Sequence, residues 1–260
     1  MNGTKLRMAS RWRGPCLAVA VGFLACMTSG SLSAAAITGG FGTTGAGVEA
    51  FSNTSGTIHY IDWCPIDTNS PGGGCGTSST GMGTLTATGG TGTFTAVNPS
   101  SSGTILDMSD AVSAPFTFFP VGTPVSIDNW LTLSTLSNLD FQANLFVPAS
   151  CVPSATQLCV GGFVLSQIGQ NVTVSMTING IVSDTTHVLS SAAFSDVISG
   201  QFNNTTIAAV ATAASSPTGI FSNTWSGSVA TTPIPEPATS GLIGAALLGL
   251  GLLRSRRVRS

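Results

Sequence analysis

The chain has 260 residues, only 7% of them charged, and its eight cations are Lys5, Arg7, Arg11 and Arg13 at one end and Arg254, Arg256, Arg257 and Arg259 at the other. All ten acids lie between these clusters, so the formal charge of −2 averages two basic ends with an acidic middle. A middle without lysine or arginine cannot neutralise a phosphate backbone or form a lysine Schiff base, which excludes nucleic-acid binding and that branch of covalent catalysis.

In chain order, the first element is an export signal. Four cations precede an apolar stretch from Pro15 to Met27, and small residues follow, ending in Ala34, Ala35 and Ala36. A basic start, an apolar helix and an A-x-A ending predict a secretory signal peptide over 1–36, removed by signal peptidase together with Cys16 and Cys26.

Residues 37–232 have the length of one domain, and their prevailing period is two. Leu139, Phe141, Ala143, Leu145 and Val147 alternate with mostly polar neighbours, and Val125, Ile127, Asn129, Leu131 and Leu133 form a similar series. The run "NVTVSMTINGIVSD" offers a choice, because Asn179-Gly180 is a hairpin signal. A hairpin there would set an apolar row against a polar one. A continuous strand keeps Val172, Val174, Met176, Ile178, Gly180 and Val182 on one face, with Gly180 as a bulge or close-approach point. Further strands are predicted near 57–63, 82–88, 91–97, 103–108, 114–119, 160–168, 201–212 and 219–230. With Gly, Ser and Asn at the breaks and little helical periodicity, the fold class is all-β, and the expected architecture is an antiparallel β-sandwich, jelly-roll-like.

Four cysteines remain after signal removal. Their spacing in an exported chain favours disulfides Cys64–Cys75 and Cys151–Cys159 among three connectivities; a zinc site would want paired C-x2-C spacings, which are absent. Trp63, Trp130 and Trp225 are candidate carbohydrate contacts, set against a core role because each falls in an apolar strand. Asp62, Asp67 and Asn69 could offer oxygens to calcium, but without EF-hand spacing, and no metal or cofactor is assigned. No G-x-S-x-G motif occurs, His59 and His187 read as structural, and no spacing among the acids selects a glycosidase pair. Thr84, Thr86 and Thr88, then Thr91, Thr93 and Thr95, form two short strand-period rows that read as solvent-facing hairpin strands rather than an ice-ordering plane. The domain is thus expected to be non-enzymatic; the alternative is a secreted carbohydrate-active enzyme of glycoside hydrolase type.

Residues 233–260 close the chain. Pro235, Glu236 and Pro237 precede sixteen uncharged residues, 238–253, and the tail 254–260 carries Arg254, Arg256, Arg257 and Arg259. As a helix the sixteen residues rise about 24 Å, and carrying four arginines across a bilayer costs on the order of 10 kcal/mol, so the stretch predicts a transmembrane helix with a cytoplasmic tail. Prolines on both sides of Glu236 keep the backbone there extended and accessible. This combination resembles the PEP-CTERM sorting signal, a tail also labelled by its occurrence on ice-binding proteins. The resemblance covers about 26 residues and implies an exosortase as processing partner, membrane association before cleavage, and delivery to the cell surface or exopolysaccharide matrix of a Gram-negative bacterium.

Overall fold

Alternation along the middle of the chain builds a closed barrel, not the expected sandwich. The computed structural model describes residues 34–52, 58–63, 81–110, 117–215, 220–234 and 246–247. Eight strands form the ring: β2 (Gly39–Ser52), β4 (Met82–Thr88), β5 (Ser101–Leu106), β8 (Ile127–Leu133), β9 (Leu139–Phe146), β12 (Asn171–Asp184), β14 (Ala192–Phe202) and β15 (Ile220–Pro233). Each is antiparallel to the next, and β15 pairs back onto β2, from Thr231 with Gly39 to Ile220 with Phe51. A sandwich and a barrel both give each strand one buried face, so the period-two pattern is the same for both. The long-range pairing of first strand with last is what separates them.

The remaining short strands are β1 (Ala35–Ala36), β3 (Ile58–Trp63), β6 (Met108–Ser109), β7 (Thr117–Phe118), β10 (Gln157–Val160), β11 (Phe163–Ile168) and β13 (Leu189–Ser190). Two ring strands change partner part-way. β2 pairs with β4 over Gly42–Thr44 and then with β3 over Val48–Ser52. β12 pairs with β11 over Asn171–Ser175 and then with β9 over Ile178–Asp184. At one end of the barrel, therefore, the long strands β2, β12, β14 and β15 run past the ring, widened by β3 on one side and by β11 and β10 on the other. This end is the mouth.

The opposite end is plugged. A 3-10 turn over Gly92–Val97 buries Phe94 and Val97, and Phe94 stands 5.1 Å from Phe41 and 6.1 Å from Phe141. Phe141 meets Phe194 edge-on at 5.7 Å, and Phe194 stacks on Trp130 at 6.2 Å. A continuous aromatic column thus fills the interior, as expected for eight strands whose lumen is just wide enough for side chains.

Several predicted elements differ from the observed ones for local reasons. The strand expected at 91–97 is the 3-10 plug: Gly92 takes φ +59°, and the Asn98 side chain brackets Gly90 by accepting from its N–H (3.0 Å) and donating to its C=O (2.7 Å). The strand expected at 201–212 ends at Phe202 and is followed by helix α1 (Ile207–Ser215). Thr206 Oγ1 caps that helix by accepting from Ala209 N–H at 3.2 Å, its alanines favour the helix, and Ile207 and Val210 bury one face. In β8, Asn129 adopts φ +53°, a bulge that exposes it and turns Trp130 inward beside Leu131. In β9 the phase also shifts, so that Phe146 rather than Leu145 is buried.

Among the described residues no helix is long and apolar enough to cross a membrane. Of the predicted span 238–253 only Ala246 and Leu247 are described, both helical and exposed. The signal segment 1–33, the cysteines Cys64 and Cys75, Asp67 and Asn69, the motif Pro235, Glu236 and Pro237, and Arg254, Arg256, Arg257 and Arg259 lie outside the described residues.

β12 is continuous, with a register shift between Asn179 and Gly180. A Cβ at Gly180 would stand 2.2 Å from the Gln142 carbonyl oxygen and 2.5 Å from the Phe194 ring, so the bare backbone lets Phe194 take its place in the column. Gly180→Ala is expected to destabilise the fold by about 1–3 kcal/mol through overpacking, measured as a lowered urea midpoint; an unchanged midpoint would show that the column tolerates the shift.

Candidate functional site

Three regions of the barrel hold chemistry beyond apolar packing: the mouth, the buried acids and the hydroxyl-lined outer wall. At the mouth, inward residues of β2, β12, β14 and β15, together with Ile61 and Trp63 of β3 and Phe163 of β11, enclose a cavity of about 50 Å³. Trp63 and Trp225 form its inner wall with ring centroids 4.8 Å apart. A Cβ at Gly45 would fall 2.0 Å from the Trp225 Nε1, so that glycine makes room for the indole. The Trp63 main chain is held from behind, its backbone N–H donating to Asp107 Oδ1 at 2.9 Å.

Trp63, Trp130 and Trp225 are 0, 0 and 3% exposed. They are core residues, and none presents a ring face on the outer surface for stacking on a sugar. The sequence contained both readings of these side chains, and burial selects one.

Three acids, Asp107, Asp184 and Asp196, are buried in a domain without lysine or arginine. Asp184 lies at the turn after β12 and accepts five hydrogen bonds: from the Thr186 hydroxyl and N–H, the Asn138 side-chain amide, and the Val188 and Leu189 N–H groups. These donors, the Thr186 hydroxyl first, outweigh desolvation and hold its carboxyl well below the usual range. Asp196 lies at an inward position of β14, between Ile178 and Val229 on the neighbouring strands. Neither of its oxygens has a hydrogen-bond partner of good geometry, nor does the nearby Thr43 hydroxyl. Burial pushes Asp196 up to about 7, with the Ser228 amide offsetting only part of the effect. The sequence signal was there: in "AAFSDVISG" the acid takes the phase of Ala192, Phe194 and Ile198.

The outer wall is ruled by hydroxyls. Cross-strand register aligns Ser175, Ser199, Ser226, Thr44, Thr86 and Ser102 across β12, β14, β15, β2, β4 and β5. Beside this belt an open groove of about 520 Å³ is lined by Thr84, Ser102, Thr104, Asn129, Thr132 and Ser134 among others. Its hydroxyls pair across strands, Thr104 with Thr132 at 2.8 Å and Ser102 with Ser134 at 3.1 Å. Thr84, Thr86 and Thr88 do share the outer face of β4. The second threonine row does not form, because Thr91 and Thr93 pair instead with the backbone at Thr38 and Gly40.

Cys151 and Cys159 form a disulfide that ties β10 to the segment before it. His187 occupies an exposed turn at φ +58°, and His59 lies within β3. Among the described residues no group of three or more His, Cys, Asp or Glu side chains could hold a metal ion. Asp128 accepts from the Gln142 amide and Asp140 from the Asn129 N–H. No protein-family model, curated protein or solved structure matches the chain.

Asp184 and Asp196 act on stability with opposite sign. Asp196, raised, contributes while protonated: its effect is full below about pH 4, declines as pH rises and is gone above about 7. Asp184, lowered, contributes above its ordinary value near 3.8 and loses that only in stronger acid. Relative to Asp196→Asn, wild type should therefore lose on the order of 4 kcal/mol between pH 4 and 8, read from urea midpoints across that range. Parallel profiles for the two proteins would refute the buried titration.

Proposed function

We propose that the chain is an exported, non-enzymatic surface or matrix protein: a β-barrel released from its signal by signal peptidase, sorted by an exosortase, and associated with exopolysaccharide. The observation that carries this reading is where the barrel ends. Its last strand closes at Pro233, and Pro235, Glu236 and Pro237 follow almost at once. Cleavage at that motif would leave every ring strand intact. The Cys151–Cys159 disulfide supports an oxidising destination.

The outer groove supports contact with a neutral polymer. Its volume of about 520 Å³ has room for a sugar unit, its lining is rich in hydroxyls, and among the described residues no carboxylate lines it. That last feature favours adhesion over glycoside hydrolysis, which needs two facing carboxyl groups. Charge plays no part in such a surface, in keeping with a domain that has no lysine or arginine.

Intact-mass measurement on surface material should give a protein without residues 1–36 and without the chain beyond about 237; a retained arginine tail would overturn the sorting reading. The adhesion reading is tested separately. Thr104→Val with Thr132→Val keeps shape but removes the hydroxyl pair, and retention on host exopolysaccharide should fall severalfold with the melting temperature little changed. Wild-type protein passing through the polymer unretained would remove the adhesive role.

A further inference from the structure

We infer that the mouth of the barrel is a binding site for one small, neutral, apolar molecule, of the size of a single ring or a short aliphatic group. The inference stands apart from the sorting role and from the outer groove, because it rests on the inner face of the overshooting strands.

The lining defines the ligand's chemistry. The walls are Trp63, Trp225, Phe163, Ile61, Val174 and Met176, and among the described residues no ionisable side chain lines the cavity. An ion would be desolvated there without a partner, and a sugar would leave its hydroxyls unpaired. Among the described lining residues the polar groups are Asn223 and the indole N–H donors of Trp63 and Trp225, which lack hydrogen-bond partners; Ser175 and Ser199 belong to the outer belt. Asn223 already donates to the Gln201 carbonyl and accepts from the Thr224 N–H at 2.8 Å. The site therefore admits an apolar body with at most one hydroxyl or carbonyl.

Size sets the upper bound. At about 15 Å³ per water on this measure, 50 Å³ is room for about three or four waters. A ring or a chain of about four to six carbons fits, and a long acyl chain does not.

The space is held open. Elsewhere the interior is occupied by the aromatic column, and at the plugged end Phe94 is fully buried. At the mouth the two tryptophans that could close the gap are seated against neighbouring backbone. Trp225 lies flush against Gly45, and the Trp63 main chain is fixed by Asp107, which accepts from its backbone N–H, and by Gly83, where a Cβ would stand 2.1 Å from the Trp63 carbonyl oxygen. Walls that cannot relax inward leave a dry apolar cavity, and such cavities take up apolar molecules. Eight-stranded barrels have a lumen of the right scale for one small ligand.

The test uses the full chain, titrated with benzene, 1-hexanol and hexanoate at pH 7.5, and followed by indole emission and by melting temperature. The two neutral probes should saturate a single site and raise the melting temperature, with hexanoate at least tenfold weaker. Val174→Phe, which fills the cavity from β12, should weaken benzene and 1-hexanol at least tenfold; Val48→Phe makes the same test from β2 should the first variant not fold. Val188→Ser, in the exposed turn after β12 and away from both groove and mouth, should bind both neutral probes as wild type does. Non-saturating partition, or binding unaltered by the filled cavity, would overturn the site.

Discussion

Closure of β15 on β2 is the constraint on which the rest of the molecule depends. The paired residues lie at the two extremes of the domain, Gly39 opposite Thr231 and Phe51 opposite Ile220. With that seam made, the ring has no free edge, its backbone groups find partners, and the lumen acquires a fixed width. The aromatic column, the plug and the mouth are consequences of that width. Phe94 reaches Phe41 only because β2 is curled back against the last strand, and the two indoles meet because one is carried by β15 and the other by the strand that β2 recruits.

The sequence disclosed what is local. β4 is observed at the predicted residues 82–88, β12 runs unbroken through Asn179-Gly180, and the eight-residue separation of Cys151 and Cys159 is bridged. Each depends on neighbours in the chain. Gly180 was readable as a close-approach point because an apolar face continued on both sides of it, although the ring it accommodates, Phe194, lies in another strand. The seam was hidden, since alternation reports that a strand has one buried face and not which strand it lies beside. Helix α1 was masked by reading Ile207 and Val210 as strand residues; Thr206 followed by alanines was the better guide. Asn129 defeated the period outright, for one bulge there exchanges an expected inward asparagine for an inward tryptophan.

A domain without lysine or arginine must settle its acids by other means, and the barrel uses two. Asp184 remains ionised inside a cage of N–H and O–H donors and thereby locks the turn after β12 to Asn138. Asp196, with no donor of good geometry, remains neutral up to about pH 7. The same economy of charge appears outside, where serine and threonine in register provide the wet face that lysine and glutamate give to most proteins. A hydroxyl wall suits a crowded, uncharged polymer, while the interior keeps an apolar chamber at the mouth.

The path of the last strand has a mechanical consequence. β15 pairs with β14 over Trp225–Pro233 and with β2 over Ile220–Thr231, and its C-terminal end lies beside the plug, away from the mouth. Tension applied through the tail would pull the strand along its own axis, loading many ladder bonds at once in shear instead of peeling them one after another. A barrel held in this way would carry the load on the strand that closes its ring.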